Sequence, residues 1–486
     1  MSPAAFTDAF EIHLESDAFP CDDLQVRALT GREQISRLPS FDVEIVSTTP
    51  APDLAAAMVG ASVTLVIEHP GEDTRRIPGT VAEVTDLLAS EADIRVLRAR
   101  VVPRLFRLSL VETQDVLMGL TVPEILAAKL AAVGLADDHE LRLVATYPKR
   151  DFVVQYGETD LAFISRLAEH LGISFFFEED EGGADRVIFA DDPAGFRDKT
   201  GVETLSFRER GEARDVFDLT ATRRVVPKYY AVRDYNDQIP HIELTADFRL
   251  ESGHAGGVCE QGTHHATPEE GRFLARVRAE ERQTGQLVYS GKSALVGLRA
   301  GRCYRLDGHP DFDALSFLVT EVDHTAAQVT AMSGPGGSMG YRNTFKAIPL
   351  DRPFRPARIT PRPRIHGLVH AVVDTGGTGV DHFAQLDDQG RYTVRFLFDT
   401  RAPGDRAGSL PIRMLQLHVG ENHGVHAPLK PGAEVLVGFI GGDPDRPVIV
   451  GAAHNPLTPP TVTRKNPTTH RIRTSGGVTF DIVDDP

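Results

Sequence analysis

Residues 152–177 read FVVQYGETDLAFISRLAEHLGISFFF, a stretch that holds a helix and the strand that follows it. Leu161, Ile164, Leu167, Ala168 and Leu171 recur at the three-to-four spacing of one helical face, beginning at Thr159 or Asp160. Gly172 comes directly after the last of them, where a residue free to take the left-handed conformation ends a helix. The apolar run Ile173-Ser174-Phe175-Phe176-Phe177 then reads as a strand.

Outward from this stretch the dominant period is two, the mark of half-buried strands. Phe10-Glu11-Ile12-His13-Leu14, Phe41-Asp42-Val43-Glu44-Ile45 and Val63-Thr64-Leu65-Val66-Ile67 all alternate. Further strands are expected at 94–101, 106–110, 187–189, 216–222 and 317–322. Two more helices carry end signals. One opens on the capping box Thr121 to Glu124, continues through Ile125, Leu126, Leu130 and Val133, and stops at Gly134. The other spans about 268–283, with Phe273, Leu274 and Val277 as its buried stripe and a charged face left for solvent or another subunit. With no tryptophan, 43 glycines and 32 prolines, the chain reads as mainly β with a few helices, an α+β protein.

A length of 486 residues predicts two to four domains, at roughly 150 residues each. The boundary falls at 349–363, where prolines at 349, 353, 356, 361 and 363 sustain neither a helix nor a central strand. Residues 1–348 precede it. Residues 364–460 come after it, with short strands at 364–374, 391–398, 410–418, 433–440 and 447–451 between glycine turns, the pattern of a five-stranded OB-type barrel. Residues 461–486 form a neck, and their alternating TSGGVTFDIV at 474–483 is expected to lack a partner strand in its own chain.

Composition excludes several classes. No stretch reaches the roughly 18 unbroken apolar residues of a membrane span. The N-terminus MSPAAFTDAFEIHLESD lacks the basic and apolar regions of a cleaved signal, which predicts synthesis into the cytoplasm. Cys21, Cys259 and Cys303 lie far apart and form no CxxC pair, so neither a zinc site nor a disulfide framework is expected. A net charge of −17 repels a phosphate backbone, which argues against nucleic acid as a partner.

Candidate chemistry fares no better. Gly291-Lys292-Ser293 ends like a phosphate-binding loop, but five residues separate Gly285 from it where the motif has four, and a strand follows rather than a helix. His418, His423 and His426 lie in the glycine-rich HVGENHGVH, read as an exposed flexible loop rather than a metal centre. His366 and His370, placed in one strand, would lie about 13 Å apart, too far for one ion. Glu178 with Glu179 and Asp387 with Asp388 read as solvated turn residues rather than an acid and base pair. Asp443-Pro444-Asp445-Arg446-Pro447 lacks the alternating oxygen ligands of a calcium loop and reads as a rigid turn. No GxSxG, HExxH or cysteine–histidine signature occurs, so no catalytic, metal or cofactor residue is assigned and the chain is not expected to be an enzyme.

Two motifs carry a family resemblance. The first, within 152–177, comprises Gln155, Tyr156, Glu158, Asp160, Phe163, Arg166, Leu167 and Gly172. The second, PGAEVLVGFIGGDPDRPVIVG at 431–451, comprises Gly432, Glu434, Val435, Gly442, Asp443, Pro444, Asp445 and Pro447, with Asn455 just beyond. Both resemble the VgrG spike proteins of type VI secretion, and weaker agreement at 289–293, 308–310 and 475–477 extends the likeness over nearly the whole chain.

That resemblance implies a phage-baseplate-hub-like region over 1–348 with two related barrels, then the OB barrel, then the start of a triple-stranded β-helix needle. Three chains would form a pseudo-sixfold ring on a hexameric inner-tube protein, within a baseplate, bearing a PAAR-type tip protein and effector cargo. Assembly would occur in the bacterial cytoplasm, with injection outward after it. Val478, Phe480 and Ile482 are the candidates for a homotrimeric neck, because they can be buried against copies of themselves. The family's barrel tryptophan is replaced by Leu397 and Phe398. No catalytic domain comes after the barrel, so a toxin is expected as separate cargo, and the needle is expected to be short, truncated or supplied by another chain. The alternatives are a related extracellular injection particle or prophage tail, an OB-fold ligand-binding protein, and an effector enzyme.

Overall fold

A computed structural model describes residues 10–47, 53–69, 74–87, 95–179, 183–197, 202–208, 215–312, 314–330, 340–374, 386–400 and 408–484. The start of the N-terminus, 1–9, and Ile94, expected to open a strand, lie outside the described residues. The chain divides into two compact units: residues 1–111, 123–147 and 160–360 form the first, and 112–122, 148–159 and 361–486 the second.

The first unit is built on one twelve-stranded sheet. From one edge it runs Glu11–Glu15, Ser62–Glu68, Arg75–Asp86, Arg95–Val102, Ser40–Ser47, Leu24–Gln34, Leu315–Ala327, Gly340–Pro349, Leu287–Ser293 and Val216–Arg223. Two apolar cores lie on it, one around Phe41, Leu65 and Leu97 and the other around Tyr304, Phe317 and Phe345. Where two related barrels were expected, the described strands close no barrel, and the 13-residue strand Leu315–Ala327 runs through both parts of the sheet. Its first part pairs with Cys303–Asp307, through Leu315↔Leu306 to Leu318↔Cys303. Its second part pairs with Leu24–Gln34, through Glu321↔Gln34 to Ala327↔Ala28. At about 3.3 Å per residue such a strand is long enough to cross both cores.

Helices sit where their end signals place them. Val122–Ala132 starts directly after Thr121, and Gly134 takes φ 78° beyond its end. Asp160–Leu171 is followed by Gly172 at φ 73° and the strand Ser174–Glu179. Pro268–Thr284 is capped by Thr267, whose side chain accepts from the Glu270 amide. Phe273, expected within its buried stripe, is half-buried and meets Tyr147 edge-on at 6.2 Å. Part of its charged face, Glu269, Arg272, Arg276 and Arg282, is exposed as expected, and part is engaged within the chain. Glu280 and Glu281 bind Arg355 and Arg358 of the proline-rich stretch, at 2.7 and 2.9 Å.

One expected strand is corrected. Residues 104–109 form a short 3-10 helix, Arg104–Ser109, in which Leu105 and Leu108 are buried three apart while Leu110 is exposed. Alternation at 106–110 imitates a strand, but Pro103 precedes the turn and the buried pair follows a period of three.

The second unit holds a four-stranded sheet, Val394–Phe396, Val369–Val373, Glu434–Phe439 and Pro447–Ala452. Segment 410–418, expected as a fifth strand, makes single bridges instead, Ile412 to Tyr392 and Met414 to Ile449. Beside the sheet lies an antiparallel strand pair from far up the chain, Glu112–Leu117 with Val153–Thr159; its Val116 and Val154, with Phe152 just before the second strand, enter the same core as Val394, Phe396 and Val435. The C-terminal strand Thr479–Val483 does have a partner in its own chain. It folds back on Thr469–Arg473 through a turn with Gly477 at φ 91°, a conformation that glycine supplies cheaply.

Candidate functional site

The strand half of the first motif meets the second motif inside the second unit. Gly441 and Gly442 take φ 64° and 75°, and the turn they form presents Asp443 and Asp445. The Asp445 amide donates to Asp443 Oδ1 at 3.1 Å. Asp445 Oδ1 accepts from the backbone amide of Val154 at 2.7 Å. Arg362 Nη2 lies 3.1 Å from both carboxylates, and the neighbouring Ile365 amide donates to the Gly442 carbonyl at 2.9 Å. Pro444 and Pro447 fix φ on either side of Asp445. The acidic turn thus clasps the incoming chain at 362–365 and the strand Val153–Thr159.

Aromatic packing completes that joint. Phe396 lies against Phe398, Phe152 and Phe439, with ring centres at 4.9, 6.1 and 6.2 Å, and Tyr156 meets Phe398 edge-on at 5.3 Å. Each such contact contributes about 0.5–1.5 kcal/mol beyond area burial. Phe398 therefore joins this packing, while Leu397 is exposed. Gln155 is fully buried and donates from Nε2 to the Glu158 carbonyl at 3.0 Å. Gly432, at φ 82°, donates its amide to the Val373 carbonyl at 2.9 Å. Val435 is in the core, and its neighbour Glu434 accepts from Asn455 Nδ2 at 2.8 Å and meets His370 Nδ1 at 2.7 Å. Asn455 first and His370 second hold the Glu434 carboxyl below its usual range. His366 precedes the strand expected to contain it and is exposed.

The first motif is split, since its helical half belongs to the first unit. Asp160 pairs with Lys129 Nζ at 3.0 Å, and Phe163 is fully buried with Lys129 and Arg166 at 5.6 and 5.0 Å from its ring centre. Leu167 is buried on the same helix. At Gly172 a Cβ would meet Val277 Cγ1 at 2.8 Å and Arg355 Cδ at 2.9 Å, so the position needs glycine for space as well as for φ. Arg355 donates to the Gly172 and Asp191 carbonyls at 3.0 and 2.6 Å. Glu169, nearly fully buried, accepts from Arg37, from the Thr360 amide and from the Thr360 hydroxyl. The proline-rich stretch up to Thr360 is therefore fastened to the helices of the first unit. Sequence reasoning placed Glu169 in the first motif but did not single out Arg355 or Arg37; the one local signal for Arg355 is arginine where a flexible linker would carry glycine and serine.

The discarded chemistry resolves into ion pairs. Lys292 of the loop-like GKS lies in the strand Leu287–Ser293 and pairs with Asp218 at 2.9 Å. Glu178 binds Arg142 at 2.7 Å, and Asp387 accepts from the Gln389 and Arg391 amides. Val478, Phe480 and Ile482 stand exposed on the terminal hairpin, away from both motifs in sequence and with 53–71% of their surface open.

Comparison with known proteins accounts for both units. Residues 32–330 match the phage tail baseplate hub (GPD) family, and 382–454 match the type VI secretion system/phage-baseplate injector OB domain. The type VI secretion system spike protein VgrG5 of Pseudomonas aeruginosa is 32% identical over 89% of this chain and 56% of its own length. The actin cross-linking toxin VgrG1 of Vibrio cholerae is 26% identical over 96% of this chain and 44% of its own length. The chain thus spans about half the length of these curated relatives. A solved Escherichia coli protein, a type VI secretion component described as similar to the bacteriophage T4 tail proteins gp27 and gp5, aligns with TM-score 0.66 at 25% identity, over 90% of this chain and 99% of that one. This chain belongs to the phage tail baseplate hub family, and its residues 382–454 match the type VI secretion system/phage-baseplate injector OB domain.

Proposed function

We propose that the chain is a structural hub-and-spike subunit of a type VI secretion machine, three copies of which cap the hexameric inner tube. The observation that carries this reading is the contact between the two motifs: the Val154 amide is held by Asp445 inside the second unit, so that unit is assembled from segments far apart in the chain. The terminal hairpin, with Val478, Phe480 and Ile482 exposed, offers copies of the chain an apolar surface to bury. No chemical step is assigned to the described residues. A tip protein of the PAAR type and an effector are the expected cargo, assembled with baseplate components in the bacterial cytoplasm and delivered outward. Light scattering on the 53.0 kDa chain tests the assembly. A trimer that binds tube-protein hexamers supports the reading; a monomer indifferent to tube protein overturns it.

A further inference from the structure

The segment HVGENHGVH, expected as a flexible loop, is a tight hairpin in the second unit, with Val419 opposite Gly424 and Gly420 opposite His423. The Val425 amide donates to the His418 carbonyl at 2.9 Å and closes its base. Residues 418 and 420 point to the same face, so His418 and His423 form a diagonal pair across the hairpin. Gly420 makes their approach possible. A Cβ there would lie 2.5 Å from both Cε1 and Nε2 of His423, so the imidazole lies across the space that the missing side chain leaves. The two rings stand 5.1 Å apart between centres, tilted by 48°.

That spacing matches two imidazoles on one ion. With metal–nitrogen bonds of about 2.0–2.1 Å and tetrahedral angles, ring centres fall roughly 5 Å apart. The His423 tautomer is also set for it. Its Nδ1 lies 2.8 Å from the Glu421 carbonyl, which only accepts, so Nδ1 carries the proton and Nε2 keeps its lone pair. A carbonyl on the far nitrogen is the usual orienting partner of a metal-bound histidine. His426, third in the segment, is occupied otherwise: Nε2 meets the Tyr392 hydroxyl at 2.8 Å and Nδ1 meets Gln416 Nε2 at 2.7 Å.

We propose that His418 and His423 form a surface site for a borderline transition-metal dication, of the class Cu2+, Ni2+ or Zn2+. Two neutral imidazoles suit these ions and not Ca2+ or Mg2+, which take oxygen ligands. The remaining coordination positions are taken by water, which leaves them open to a donor from a partner. Among the three ions Cu2+ binds tightest, following the general order for nitrogen ligands.

The test is Cu2+ titration of the full chain by calorimetry, with electron paramagnetic resonance on the same samples. One ion per chain is expected at this site, with hyperfine structure from two imidazole nitrogens. His418→Ala and His423→Ala should each weaken it at least tenfold, while His366→Ala, at an exposed position outside the hairpin, should leave it unchanged. Gly420→Ala keeps both imidazoles but displaces one, and should weaken binding as well. All four positions are exposed, and circular dichroism verifies folding. Binding of the same affinity and spectrum in the two single-histidine variants would place the metal elsewhere among the 18 histidines and overturn the proposal.

Discussion

The backbone amide of Val154 donates to the Asp445 carboxylate at 2.7 Å across 291 residues of chain. Asp445 also faces Arg362 at 3.1 Å, and its side chain is 8% exposed. Asp445→Ala should destabilise the second unit by about 2 kcal/mol, the cost of a buried amide losing its acceptor, while Arg362 keeps Asp443 as its partner. Asp445→Asn keeps one acceptor oxygen and should cost less. Urea unfolding of the two variants checks the order.

Gly172 and Gly134 both come after helices at positive φ, 73° and 78°. A Cβ at Gly134 has only Arg107 Nη1 near it, at 3.8 Å, whereas at Gly172 it meets Val277 and Arg355 below 3 Å. Gly134→Ala should therefore cost about 1 kcal/mol for the left-handed backbone alone. Gly172→Ala should cost roughly 1–3 kcal/mol more, as overpacked sites do. Thermal unfolding measured side by side separates strain from clash.

In the first unit Glu33 binds the buried Arg75 and faces His324 at 3.6 Å. Burial alone would raise the Glu33 carboxyl, yet Arg75 and then His324 hold it far below its ordinary value of 4.5. Because the folded value is the lower one, the unfolded chain takes up the proton first. The stabilisation is whole above about pH 4.5 and drains as pH falls below it. Glu33→Gln should cost about 3 kcal/mol at neutral pH by leaving Arg75 unpaired. The gap between wild type and variant should narrow in acid, as stability curves from pH 7 to pH 3 would reveal.

Thiol labelling should proceed in order of access. Cys259 is exposed, whereas Cys303 is buried and its thiol is pushed up to about 11 by that burial. At pH 8 an alkylating reagent should modify Cys259 first and Cys303 only on unfolding, with mass spectrometry of the peptides as the readout.

Phe480→Asp and Ile482→Asp place charges on exposed positions of the terminal hairpin, so each should leave chain stability within about 0.5 kcal/mol. If that hairpin is where copies meet, the same variants should lower the mass seen by light scattering. Unchanged assembly would remove the neck role from these residues.

Local rules located the helix Asp160–Leu171, because five apolar residues at helical spacing and Gly172 needed nothing from elsewhere in the chain. They misled at Phe106 and Leu108, where two-residue alternation coincides with a turn whose buried pair is Leu105 and Leu108. Asp445 could be picked out as a motif residue, but its bond to the Val154 amide is a contact across hundreds of residues, which no local pattern encodes. Arg355 was hidden for the opposite reason. Surrounded by prolines it looks like part of a spacer, and only the carbonyls of Gly172 and Asp191 reveal why a guanidinium is there. The strand Thr479–Val483 appeared solitary because its partner Thr469–Arg473 carries only Ile472 as an apolar residue.

The path of the chain between its two units governs how chains of this kind can be recombined. It passes from one to the other at 111/112, 122/123, 147/148, 159/160 and 360/361. A graft that exchanged only the chain beyond residue 360 would separate Asp445 from Val154 and Phe396 from Phe152, two contacts that lie wholly within one unit yet are drawn from distant sequence. Successful exchange of injector domains, by recombination in a genome or by design, therefore has to carry three separate segments together.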